Sequence, residues 1–171
     1  MTLQEAPMPY VSCPAAVIDA PVDAVWALLV EPAAWGGVFN VRVGSIDPPG
    51  RAIVGQKICG ETGLRILHLK LTFRMIEIDL DHHRLCLDVQ LPFGIMVHED
   101  LSCTPLDADH CRVDYRCNFD FPRGWRGSLA KILIHHGFDS GPEDSLSRLK
   151  HAAEREQLGA TASYRTKIRS R

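Results

Sequence analysis

Three side chains carry most of the chemistry this sequence can offer: Glu99, Tyr115 and His136. Glu99 lies in the run Ile95 to Thr104, where the apolar residues Val97, Leu101 and Cys103 share its parity. Strand side chains alternate faces, so if those apolar residues turn inward the carboxyl turns in with them. Burial holds a carboxyl neutral unless a cation or hydrogen bond restores its charge, and such a group can act as a general acid or base or orient a polar ligand. Tyr115 has inward parity on the neighbouring run and is the candidate partner. His136 follows Leu129, Ile132 and Leu133 on one helical face, where an imidazole could move a proton near neutral pH. Glu99 and His136 each have a second reading. A β-bulge would turn Glu99 outward and leave His98 or Asp100 inside. His136 reads equally as a satisfied core histidine or a helix-end cap, and His135, about 100° round the helix, faces a more exposed side.

Other chemistry is disfavoured. His98, Glu99 and Asp100 resemble metal ligands, but successive strand residues point to opposite faces and cannot converge on one ion, so no metal is expected. His82 and His83 belong to a solvated turn. Six cysteines, Cys13, Cys59, Cys86, Cys103, Cys111 and Cys117, form no C-x-x-C pair and read as buried or packed thiols. Cys103 and Cys117 are the pair that adjacent strands could bring close. No phosphate loop, nucleotide fingerprint or nucleophile with an adjacent base is visible, and no cofactor is expected.

The 171 residues match one domain, and a formal net charge of −2 with scattered Lys and Arg gives no basic stripe for nucleic acid. Apolar runs fall short of the roughly 20 residues that cross a bilayer, so integral membrane association is not expected. Met1 to Pro9 carries Glu5 and no basic start before an apolar stretch, which makes the cytoplasm the default location. The composition leaves the oligomeric state open.

The elements that must position these residues can be read from period. Tyr10 to Ile18 reads as a strand, and Asp19-Ala20-Pro21 ends it and starts a helix bearing Val22, Val25, Trp26 and Leu29 on one face. Pro32 stops that helix, and Ala33 to Phe39 reads as a short second helix or lid, with Gly36 and Gly37 beside Trp35. Strands follow over Val41 to Asp47, Gln56 to Thr62, Arg65 to Asp79, Leu85 to Leu91, Ile95 to Thr104 and Val113 to Phe121, separated by turns rich in Pro, Gly and Asp. Such a series builds an antiparallel meander. After Pro122-Arg123-Gly124 the period becomes helical, and Ser140-Gly-Pro-Glu143 predicts a kink or restart near Gly141 before Leu146, Leu149 and Ala153. Residues 155–171 read as a basic, flexible tail behind a domain of residues 10–154 and an N-terminal extension of residues 1–9.

This order, with Ile18-Asp-Ala-Pro-Val-Asp-Ala-Val-Trp26 entering the first helix, Trp35 after it and Phe121-Pro-Arg-Gly-Trp125 before the last helix, resembles the START-like helix-grip superfamily, SRPBCC. The resemblance implies an α+β fold: about seven antiparallel strands curve round a long C-terminal helix, with two short helices after the first strand. It also implies a cavity for a hydrophobic small molecule of lipid, polyketide or aromatic type. Trp35, Phe39, Leu69, Phe73, Leu87, Phe119 and Leu133 are then expected to shape that cavity, with Glu99, Tyr115 and His136 as its polar groups. Binding of a small hydrophobic molecule is the leading expectation. A cyclase or dehydratase using Glu99 with Tyr115 or His136 is the alternative, and a protein-interaction module with a filled interior is the third.

Overall fold

Alternating apolar and polar residues between Arg42 and Asp120 form six antiparallel strands, which the preceding and following segments close off. The computed structural model describes residues 10–64, 67–125, 127–128 and 141–169, with side chains at 64, 67, 68 and 159–169 excepted. Strands β1 (Tyr10–Ser12) and β2 (Ala15–Ile18) come first, then α1 (Val22–Leu29), a 3-10 turn (Pro32–Ala34) and α2 (Trp35–Val38). The meander follows as β3 (Arg42–Asp47), β4 (Lys57–Leu64), β5 (Leu67–Asp79), β6 (Arg84–Gln90), β7 (Met96–Pro105) and β8 (Cys111–Asp120). Helix α3 (Gly141–Arg169) ends the described chain.

The single strand expected over Tyr10 to Ile18 is two, parted at Cys13-Pro14, where proline has no N–H to give to a ladder. Both pieces pair with β8, Tyr10 opposite Phe119 and Ala15 opposite Asp114, so eight strands fill seven positions in the order β1/β2-β8-β7-β6-β5-β4-β3. Register breaks occur between Val43 and Ser45 and between Met75 and Glu77, and such bulges bend and twist a sheet. The second one carries Met75 inward and leaves both Ile76 and Glu77 outside. At the β4 crossing, a Cβ on Gly60 would lie 2.5 Å from Val41 Cγ1 and 3.0 Å from the Arg42 carbonyl, so only glycine lets β3 approach there.

Helix α1 starts after Pro21, has Asp23 in its first turn and buries Val25, Trp26, Leu28 and Leu29 against the sheet. Helix α3 buries Leu146, Leu149 and Ala153, as their spacing predicts. Two long-range hydrogen bonds tie it down: Lys150 Nζ donates to the Val17 carbonyl at 2.8 Å, and Asp19 N–H donates to Glu154 Oε1 at 3.3 Å. Residues 155–169, expected from the sequence as a flexible tail, continue the helix, and Ala152, Ala153, Glu154, Glu156 and Gln157 are good helix formers.

Buried Gln56 anchors the β3–β4 turn by donating Nε2–H to the carbonyls of Pro48 at 2.7 Å, Gly50 at 3.2 Å and Arg51 at 3.3 Å. The cysteine pairing considered above is excluded by register. Cys103 faces Val113 while Cys117 faces Glu99, four residues away along the ladder.

Candidate functional site

The register from β6 through β8 runs without a break, so strand parity places Glu99 securely on the inner face, between Leu87 on β6 and Cys117 on β8. The bulge that would have turned it outward is absent from these three strands. Its neighbours in sequence face the other way. His98 bridges Asp88 at 2.6 Å and Asp120 at 3.3 Å on the outer face, and Asp100 pairs there with Arg84 at 2.9 Å. Among the described residues no group of His, Cys, Asp and Glu side chains is placed to hold a metal ion.

Glu99 borders a cavity of ≈170 Å³ between the sheet and α3. Its apolar floor comes from Leu71, Phe73, Val89, Val97 and Phe119, with Tyr115 beside Glu99. Phe39, Asn40 and Val41 contribute from the α2–β3 junction, and Gly63 from β4. Asp144, Ser145 and Arg148 contribute from α3. Most of the floor is buried, whereas Asn40, Asp144 and Arg148 are exposed, so the lining grades from apolar inside to polar at the rim. An edge-on aromatic chain supports the inner wall: Trp35 to Phe73 at 5.1 Å, Trp35 to Phe39 at 5.1 Å, and Phe39 to Tyr115 at 6.4 Å between ring centroids.

Burial dominates the electrostatics. It pushes the Glu99 carboxyl up to about 7, and the Tyr115 hydroxyl opposes that shift by hydrogen bonding to the ionised form. Burial first and the Glu99 carboxylate second hold the Tyr115 phenol well above its ordinary range. Glu99 Oε2 is shielded from solvent and has no hydrogen-bond partner among the described residues. A carboxyl so placed exists in both protonation states near neutrality, and it can accept from or donate to whatever enters the cavity. On the outer face His98 is shifted upward, chiefly by its hydrogen bond to Asp88.

Of the residues expected to shape the pocket, Phe39, Phe73, Glu99, Tyr115 and Phe119 line it. Trp35, Leu69 and Leu87 are buried but do not reach it. Trp35 stands one layer behind, where its Nε1–H donates to the Leu29 carbonyl at 3.0 Å and its ring backs Phe39 and Phe73. Leu69 lies on β5 beyond the cavity, and Leu87 is covered where it packs next to Glu99. Leu133 and His136 lie outside the described residues. The sequence reading missed Asn40, Asp144, Ser145 and Arg148. Only the helix restart near Gly141 pointed toward the last three, because it fixes which part of α3 meets the end of the sheet.

A curved antiparallel sheet closed by a long helix, with a small cavity held between them, defines a helix-grip protein of the START-like kind. The chain belongs to the polyketide cyclase / dehydrase and lipid transport family, whose sequence model matches residues 15–154. Many solved structures share the fold, and three of them illustrate the likeness to this chain. The Zhui aromatase/cyclase from Streptomyces sp. R1128 is 14% identical over 86% of this chain and 94% of its own, with a TM-score of 0.71. Norcoclaurine synthase from Thalictrum flavum is 14% identical over 90% and 99%, with a TM-score of 0.64. The di-domain ARO/CYC BexL of the BE-7585A biosynthetic pathway is 20% identical over 85% of this chain and 46% of its own, with a TM-score of 0.63. No curated protein sequence matches this chain. Among the described residues, no helix is long and apolar enough to cross a membrane.

Proposed function

We propose that the cavity binds a small, largely apolar molecule carrying a hydrogen-bond donor, and that Glu99 and Tyr115 fix that polar group. The observation that carries this reading is Glu99 Oε2, a shielded acceptor without a partner among the described residues, set in a wall of aromatic and aliphatic side chains. Leaving such a group unpaired costs about 1–3 kcal/mol, and a ligand donor would recover that energy. Phe39, Phe73 and Phe119 offer ring faces and edges suited to a planar guest. Aromatic or polyketide ligands accord with the aromatase/cyclase named among the fold relatives, and lipid with the family description. An open cavity accords better with binding than with an interaction module, which calls for a filled interior.

A second reading rests on the upward shift of Glu99. A carboxyl near 7 beside a phenol is suited to take a proton α to a carbonyl and to return one to a departing hydroxyl, the two proton movements of cyclisation and dehydration. In this reading Glu99 is the acid–base group and Tyr115 holds its hydrogen bond. His136 stands as a further proton carrier on sequence grounds.

Native mass spectrometry of the purified protein, followed by denaturing extraction, tests the binding reading. A released apolar molecule supports it, while an empty protein that also fails to take up a hydrophobic fluorescent probe refutes it. The extracted molecule then supplies the test of catalysis. Glu99→Gln should retain binding and lose turnover if Glu99 is the acid–base group, and unchanged behaviour in both assays removes its role.

A further inference from the structure

We infer that the preferred ligand is bipolar: a neutral hydroxyl on a ring system enters first and meets Glu99, and an acidic group stays at the rim beside Arg148. This inference rests on the binding reading above and adds the orientation and charge of the guest. The inner end of the cavity is lined by a carboxyl and a phenol with no cation among the described residues, so an anionic head entering first would meet Glu99 unneutralised. A phenol or enol there can instead donate to Oε2. The outer end differs. Arg148 reaches the lining from the exposed side of α3 and forms no ion pair among the described residues. Its guanidinium fork matches a carboxylate geometrically, and Ser145, three residues earlier on the same side of the helix, adds a hydroxyl donor. Asp144 also borders the rim and opposes an anion, so an acidic group there is drawn by Arg148 against the carboxylate four residues before it.

Three probes separate the parts of this argument by calorimetric titration of the full chain: naphthalene, 2-naphthol and 6-hydroxy-2-naphthoate. The expected order of affinity is naphthalene below 2-naphthol below 6-hydroxy-2-naphthoate, the last step being about 1.5- to 5-fold for a solvent-exposed ion pair. That gain should shrink in high salt. The decisive quantity is the ratio of the affinities for the two hydroxylated probes, because it cancels general damage to the fold. Arg148→Gln should bring the ratio to one or below, and Asp144→Asn should raise it about twofold. A wild-type ratio of one or less, or a ratio indifferent to both substitutions, overturns the inference while leaving the cavity reading intact. Failure of 2-naphthol to bind better than naphthalene removes the Glu99 anchor, and failure of all three to bind removes the cavity reading and this inference together.

Discussion

Glu99→Gln should remove one component of the pH dependence of stability, the one that the buried carboxyl contributes. In the unfolded chain the carboxyl titrates near 4.5, and in the native state burial carries it to about 7. Between those values the native protein keeps a proton that the unfolded chain has released, so stability falls as pH rises through the window. Below pH 4.5 the group is neutral in both states and carries no penalty. Above 7 it is ionised in both, and the native state bears the full cost of a buried charge. Each pH unit between the two values is worth 1.36 kcal/mol, which makes that cost about 3 kcal/mol. Urea denaturation of wild type and Glu99→Gln at pH 5, 6, 7 and 8.5 measures it, and the difference between the two proteins cancels the titration of His98, His110 and the surface carboxylates. Relative to wild type, the glutamine variant should gain about 2.5 kcal/mol between pH 5 and pH 8.5, with most of the change centred between pH 5 and 7. A difference that does not vary with pH would mean that the carboxyl titrates as if solvated or paired, and the argument from its burial would fail.

Tyr115→Phe removes the donor that holds the Glu99 carboxyl down, so the upper edge of this same window should move to higher pH in the denaturation series. Gln56→Ala deletes the donor to three carbonyls of the β3–β4 turn and should cost about 1–3 kcal/mol in urea denaturation at any pH between 5 and 8. A loss below about 0.5 kcal/mol would show that water replaces the amide without penalty.

How much of this was legible beforehand depended on whether a residue's environment is local in sequence. Glu99 could be placed because Val97, Leu101 and Cys103 two and four positions away declare the face of the strand, and an unbroken ladder across β6, β7 and β8 preserves that declaration. The same parity correctly turned Leu69 and Leu87 inward but could not distinguish a covered position from a cavity wall, since that depends on where other elements pack against the sheet. Trp35 was similarly ambiguous: a large aromatic beside two glycines suits a lid as well as a buttress, and its hydrogen bond to Leu29 makes it the buttress. The rim was the least visible part. Leu146, Leu149 and Ala153 mark the core-facing side of α3, yet Ser145 and Arg148 sit on its flank, where polar residues look like any solvated helix surface. The break at Cys13-Pro14 was written in the sequence as a proline but was outweighed by the β-rich composition around it.

The polar pair and the rim belong to structural parts with different freedoms. Glu99 and Tyr115 sit on strands flanked by partners on both sides, where a change of backbone position would have to propagate through several ladders at once. Asn40, Asp144, Ser145 and Arg148 sit at a helix–strand junction and along one helix flank, where single replacements leave every ladder untouched. Substitutions at the rim can therefore change the polar groups at the mouth of the cavity while the buried Glu99–Tyr115 pair stays as it is. The interior and the mouth of the cavity are thus separable in the chain, one held by the sheet and the other by a helix flank and a junction.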